Sequence, residues 1–153
     1  MIREIYSDCL LIGNAMDARD LRLLYDNHVS AVVDLAVNEA PAQLARDMIY
    51  CRIPIIDGDG NSEAILETAI RSLVTLVHKG IRTLVVCSAG MSRSPAISAA
   101  AIAIVTGRSP DDCLAAIVTD APHDVSPILW SRVKSVYNQI ATNGDGTHDS
   151  NVA

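Results

Sequence analysis

The sequence contains no phenylalanine, and aromatic residues make up only 3% of its 153 residues. Leucine, isoleucine, valine and alanine must therefore fill the core, and a hydrophobic fraction of 50% is enough for a globular protein. Basic residues are few as well, since 12 lysines and arginines stand against 18 aspartates and glutamates and give a net charge of −6. This acidic balance argues against nucleic acids and membranes as partners, because both attract basic surfaces.

Patterns that bind metals or form disulfide frameworks are missing too. No Cys-x-x-Cys pair occurs among the four cysteines, which are Cys9, Cys51, Cys87 and Cys113. This spacing favours free thiols in a reducing compartment, and we predict no metal and no other cofactor. We expect no signal peptide, and no apolar run is long enough to span a bilayer. The predicted location is therefore the cytoplasm.

Strand and helix patterns alternate along the chain. Residues 3–14 predict two short strands. The apolar runs at 29–36 and 81–87 are typical of buried strands, and 49–55 is predicted as a further strand that ends near Pro54. Six segments predict helices: 17–28, with Asp17 as its N-cap, 39–48, 62–80, 94–107, 109–121 and 126–140. The alternation predicts an α/β fold of three αβα layers, with a mostly parallel, twisted central sheet and helices on both faces. We expect one domain over residues 1–141 and a disordered tail over residues 142–153.

The segment "VVCSAGMSRSP", residues 85–95, places small, flexible residues between a predicted strand and a predicted helix. Gly90 can take a positive φ, so the backbone can curl and point successive N–H groups inwards beside the helix N-terminus. Such a nest of donors binds a tetrahedral anion, and the planar fork of Arg93 can hold two phosphate oxygens. The same field favours the thiolate of Cys87, and no other cysteine has an arginine six residues later. The segment therefore predicts a loop that holds a phosphate against a nucleophile.

Residues 86–94, "VCSAGMSRS", resemble the signature loop of the cysteine-dependent protein tyrosine phosphatases, in the form typical of their small dual-specificity branch. The opening hairpin at 2–18, a core strand at 28–36 and the strand and loop at 49–57 are also similar, in the same order. The resemblance covers roughly residues 2–140 and implies a catalytic domain over residues 1–141. The implied activity is hydrolysis of phosphorylated proteins without a metal or another cofactor.

The resemblance also implies roles for the matching residues. Cys87 would be the nucleophile that forms a phosphocysteine, and Ser94 would assist its thiolate as the leaving group. Asp57 would act as general acid and then as general base, because an alkoxide or phenoxide leaves poorly unless it is protonated. Asp59, on the same "DGDG" segment, is the competing candidate. The phosphate would be bound by the loop amides and the guanidinium of Ser88, Ala89, Gly90, Met91, Ser92 and Arg93.

One position departs from the family pattern. The residue before the nucleophile is usually histidine, and here it is Val86, so a hydrogen-bonding group that supports the thiolate is missing. This leaves a second interpretation open, a weakly active or inactive phosphopeptide-binding pseudophosphatase. Low-molecular-weight phosphatases and arsenate reductases share the Cys-x5-Arg-Ser-Pro pattern, but their loop follows the first strand, whereas Cys87 lies past the middle of this chain.

The residues between Cys87 and Arg93 carry no charge, whereas branches that act on phosphoinositides tend to have basic residues there. The predicted substrate class is therefore phosphotyrosine in proteins, with phosphoserine and phosphothreonine as further substrates. A phosphate ester that is not a protein is the alternative.

Overall fold

The sheet has five strands in the computed structural model, which describes residues 2–144. The strands are β1 (Arg3–Tyr6), β2 (Leu10–Asn14), β3 (Ala31–Ala36), β4 (Ile49–Ile55) and β5 (Thr83–Cys87). Their order across the sheet is β1-β2-β5-β3-β4, with β1 antiparallel to β2 and all other neighbours parallel. β5 is therefore central, and all of its residues are buried, as its apolar sequence predicts.

Helices cover both faces of the sheet, so the predicted three-layer αβα fold is confirmed. Four helices pack on one face: α2 (Glu63–His78), α3 (Arg93–Thr106), α4 (Pro110–Val118) and α5 (Pro127–Gly144). The other face is covered more thinly, by a 3₁₀ turn (Asp17–Arg19), by α1 (Leu21–Asp26) and by the β3–β4 loop, residues 37–48. No helix within residues 2–144 is long and apolar enough to cross a membrane.

α3 is the central helix of the thicker layer and determines where the site forms. It is buried from Arg93 to Ala103 and packs against α2, α4, α5 and β5. This matches its sequence, which is apolar on almost every side. Because α3 starts a few residues after β5 ends, its N-terminus lies at the carboxyl edge of the parallel strands, where ligands bind in folds of this kind.

The segment 39–48, which the sequence predicts as a helix, is a loop. The Ala42 N–H donates a hydrogen bond to the Tyr50 hydroxyl at 3.1 Å, and that hydroxyl donates to Asp34 at 2.7 Å. Ala42 is itself buried against the sheet. An isolated helix of this length is marginal, so these tertiary contacts decide the conformation.

The ends of two helices also differ from expectation. α1 begins after Asp20, whose side chain accepts a hydrogen bond from Leu23 N–H at 3.0 Å, and Asp17 instead starts the 3₁₀ turn. α5 continues past the predicted domain boundary at residue 141 as far as Gly144, because Ile140 anchors its last turns in the core. The rest of the predicted tail, residues 145–153, lies outside the described residues.

Candidate active site

The loop between β5 and α3, residues 88–92, has a shape that depends on Gly90. The backbone there has φ 72°, which side chains rarely allow. A Cβ atom at this position would also lie 2.7 Å from the carbonyl oxygen of Gly13, at the end of β2. A second contact between the loop and β2 is the hydrogen bond from Ala15 N–H to the Ser88 carbonyl, at 3.3 Å. The loop is therefore packed closely against the neighbouring strand.

A pocket of about 200 Å³ opens over this loop at the carboxyl end of β5. It is lined by Asp57, Cys87, Ser88, Ala89, Met91, Ser92, Arg93 and Asp124. The structure thus brings together the two ends of the Cys-x5-Arg pattern and the carboxylate of Asp57, which comes from the loop after β4. Gly90 and Ser94 lie beside the pocket and do not line it, and Asp59 does not line it either.

The guanidinium of Arg93 is buried, with the residue only 5% exposed, and is held by three acceptors. Nη1 donates to the Ile55 carbonyl at 3.0 Å and to Asn38 Oδ1 at 3.1 Å, and Nη2 donates to Ser88 Oγ at 2.9 Å. Within residues 2–144, the buried side-chain atoms without a hydrogen-bond partner are Nε of Arg93, Oγ of the fully buried Ser94 and Oγ of Ser98. A buried donor without a partner is costly, and of the described residues with such an atom Arg93 is the one that lines the pocket.

Asp57 is exposed on the loop that follows β4, and two side chains fix it there. The Asn61 amide closes the loop, since its Oδ1 accepts from Ile56 N–H and its Nδ2 donates to the Ile56 carbonyl, both at 2.8 Å. The hydroxyl of Ser92 donates to Asp57 Oδ1 at 2.6 Å and accepts from Ser126 N–H at 3.1 Å. Asp57 is therefore tied directly to the phosphate loop.

Three residues of the site are absent from the sequence-based prediction. Asn38 contacts Arg93 and Ser88, Asn61 shapes the Asp57 loop, and Asp124 lines the pocket while its N–H donates to the Met91 carbonyl at 3.0 Å. A signal for two of them exists in the sequence. Asn38 follows the predicted buried strand 29–36, and Asn61 lies in the segment after the predicted strand 49–55. Polar residues at that edge of a parallel sheet are candidates for a ligand site.

Val86 points away from the pocket, into the core under the thinner layer. It is fully buried and belongs to the same cluster as Val32, Leu24 and Leu84. Cys87, one residue later, faces the thicker layer, because successive side chains of a strand alternate between faces. The residue that departs from the family pattern is therefore a packing residue of the opposite face.

No group of three or more histidine, cysteine or acidic side chains within residues 2–144 could hold a metal ion. The four cysteines are all free thiols.

No family model matches the sequence, but curated relatives do. Dual specificity protein phosphatase 15 of Homo sapiens is 33% identical over 117 residues, which cover 74% of this chain and 38% of the relative. Dual specificity protein phosphatase 22 of Xenopus tropicalis is 30% identical over 112 residues, which cover 71% of this chain and 51% of the relative. The chain thus spans about half of the length of these relatives or less.

Solved structures share the fold over almost the whole chain. The crystal structure of DUSP15 has a TM-score of 0.73 and 25% identity, covering 92% of this chain and 95% of that one. The structure of human DUSP28 has a TM-score of 0.80 and 22% identity, covering 94% and 99%. That of PTPMT1 has a TM-score of 0.78 and 21% identity, covering 96% and 100%.

The fold, together with a Cys-x5-Arg loop between the central strand and a buried helix, defines the class of cysteine-dependent phosphatases. Within this class, the chain belongs to the small dual-specificity phosphatase branch.

Proposed function

We propose that this chain is a metal-independent phosphatase that hydrolyses phosphotyrosine in proteins, and phosphoserine and phosphothreonine as further substrates. The observation that carries the proposal is the buried, unpartnered Nε of Arg93 beside Cys87 in a pocket formed by the phosphate loop. A cationic donor without an acceptor at a helix N-terminus is completed by an oxyanion. The proposed catalytic domain is the predicted one, extended by α5 to Gly144.

In the first step, the thiolate of Cys87 attacks phosphorus, and an S–P bond forms while the bond to the leaving oxygen breaks. Arg93 and the loop N–H groups hold the three other phosphate oxygens and stabilise their charge. Asp57 gives its proton to the leaving oxygen, a contribution worth ~10²–10⁴-fold when the acid is well placed. Its hydrogen bond to Ser92 supports this role, since it keeps the carboxylate at the pocket.

In the second step, water attacks the phosphocysteine, Asp57 takes a proton from that water, and the S–P bond breaks to release phosphate. Ser94 is proposed to donate a hydrogen bond from its hydroxyl to the sulfur as the thiolate leaves. This role is supported by the position of Ser94 at the start of α3 and by its buried hydroxyl, which has no partner.

The surroundings of the pocket support an aromatic phosphate ester as the substrate. Val37, Ile56 and Met91 are large apolar residues that are at least one-third exposed, and each lies in or beside a segment that forms the site. They offer contact area to a phenyl ring, and among the described residues that line the pocket Arg93 is the only cationic one. We therefore propose a phosphorylated protein as the partner, and the cytoplasm, expected from the cysteine pattern, as the location.

The proposal is tested with a phosphotyrosyl peptide in the presence of a chelator, comparing wild type with Cys87→Ser. Wild type should release phosphate, and the variant should release none while still binding tungstate in calorimetry, because the loop and Arg93 remain. Appreciable turnover by Cys87→Ser would exclude the thiolate mechanism. A wild type that binds the peptide and releases no phosphate would be a phosphopeptide-binding module.

A further inference from the structure

The hydrogen bonds of Arg93 leave one particular edge of its guanidinium available. The group has five N–H bonds. Three of them are used, by the Ile55 carbonyl and Asn38 Oδ1 on Nη1 and by Ser88 Oγ on Nη2. The two that remain are the N–H of Nε and one N–H of Nη2, which point outwards in the plane of the group along its Nε–Nη2 edge. This is the edge that can hold two phosphate oxygens in parallel.

Asn38 links the Nη1 end of the guanidinium, away from the Nε–Nη2 edge, to the phosphate loop. Its Oδ1 accepts from Arg93 Nη1 at 3.1 Å and from the Ser88 hydroxyl at 3.0 Å. That hydroxyl in turn accepts from Arg93 Nη2 at 2.9 Å. The three side chains therefore form a closed ring of hydrogen bonds, and rotation of the guanidinium would break at least two of them.

The β3–β4 loop that carries Asn38 is itself braced on two sides. Arg52 donates to the carbonyl of Ala36 at 3.4 Å and, through the same Nη2, to that of Glu39. Tyr50 donates to Asp34 at 2.7 Å, beside the start of the loop. Burial, and then this hydrogen bond, raise the pKa of Tyr50, so its hydroxyl keeps the proton it donates. The loop that carries Asn38 is therefore held in place by hydrogen bonds from Arg52 and Tyr50.

From this arrangement we propose that Asn38 is a positioning residue for oxyanion binding, which acts by holding the Nε–Nη2 edge of Arg93 towards the phosphate. The inference rests on the proposed function only in requiring that the pocket bind a tetrahedral oxyanion. Asn38 does not line the pocket, and its effect on the ligand passes through Arg93.

The test is a double-mutant cycle read by tungstate binding in calorimetry. Asn38→Ala should weaken tungstate binding by about tenfold, the effect expected when a hydrogen bond to a charged group is lost. In an Arg93→Lys background, where the planar fork is gone, the same substitution should change the affinity less than about twofold. A residue that only supports the shape of the loop would weaken binding by the same factor in both backgrounds.

Glu39→Gln is the matched control, because Glu39 is the next residue of the same loop and its side chain pairs with Arg19 at 3.7 Å, away from the phosphate loop. This control should leave tungstate affinity unchanged. If Asn38→Ala does not fold, Ser88→Ala breaks the same ring from the other side and should also weaken binding in the wild-type background only.

Three results would overturn the inference. The first is an unchanged affinity in Asn38→Ala, and the second is an equal loss in the Arg93→Lys background. The third is a wild type that binds no tungstate, which would overturn the proposed function as well. A wild type that turns over phosphotyrosine while Asn38→Ala binds tungstate normally would overturn this inference alone.

Discussion

At the scale of single residues, one hydrogen bond distinguishes the two carboxylates of the "DGDG" segment. Asp57 receives the Ser92 hydroxyl at 2.6 Å and lines the pocket, whereas Asp59 is exposed and does not. Both lie on the same short segment, two residues apart, so their spacing in the sequence could not rank them. The contact that separates them depends on residues 35 positions apart in the chain.

Replacing Asp57 with asparagine should slow hydrolysis of a phosphotyrosyl peptide by ~10²–10⁴-fold, since the leaving phenoxide would lack a proton donor. Hydrolysis of nitrophenyl phosphate should fall much less, because its leaving group scarcely needs protonation. The measurement is kcat/KM for both substrates. Asp59→Asn is the matched control and should change neither value by more than a few-fold. The reverse pattern in the two variants would assign the acid to Asp59.

At the scale of elements, the loop between β5 and α3 depends on one close approach of two backbones. Gly90 has φ 72°, and a Cβ atom there would meet the Gly13 carbonyl at 2.7 Å. Gly107, at the end of α3, has φ 73°, but no more distant part of residues 2–144 lies within 4 Å of the corresponding position. The two glycines therefore share a positive φ of nearly the same size and differ in the space around them.

Gly90→Ala should destabilise the protein by more than the ~1 kcal/mol expected for a left-handed alanine alone, because backbone atoms of β2 cannot move aside cheaply. Tungstate binding should be lost with it, since the loop amides would be displaced. Gly107→Ala should cost only the conformational strain and leave binding intact. Thermal unfolding and calorimetry of both variants measure these effects. Equal losses of stability, with binding retained in both, would show that the close approach does not determine the loop.

The sequence predicts correctly the elements whose apolar and capping patterns lie within one continuous segment of the chain. β5 and α3 are apolar on both faces, and Ser109 caps α4 as its Ser-Pro opening predicts. The segment 39–48 and the contacts of Asn38 could not be predicted in this way. Each depends on a side chain from a distant element, namely Tyr50 of β4 for the segment and Arg93 of α3 for Asn38.

At the scale of the whole molecule, consecutive residues at the end of β5 face opposite sides of the sheet. Cys87 faces the thicker helical layer, and Val86 faces the thinner layer, where it is fully buried among apolar side chains. Any group that replaces valine must therefore enter the core of the thinner layer before it can influence the thiol. A substitution at position 86 that acts on the thiol of Cys87 is therefore expected to change the stability of the fold as well.

Val86→His should reveal this coupling. Burying an imidazole among apolar side chains should lower the free energy of unfolding by roughly 1–3 kcal/mol at pH 8. The loss should grow below about pH 6.5, because the unfolded chain takes up a proton that the buried ring resists. If the ring also reaches the phosphate loop, inactivation by iodoacetate should persist to lower pH than in wild type, since that reaction follows the thiolate.

Val86→Ala is the control, which loses packing but adds no titrating group, so its destabilisation should not depend on pH in this range. An iodoacetate profile of Val86→His that coincides with those of wild type and Val86→Ala would show that the imidazole does not act on the thiol, and that residue 86 serves packing alone.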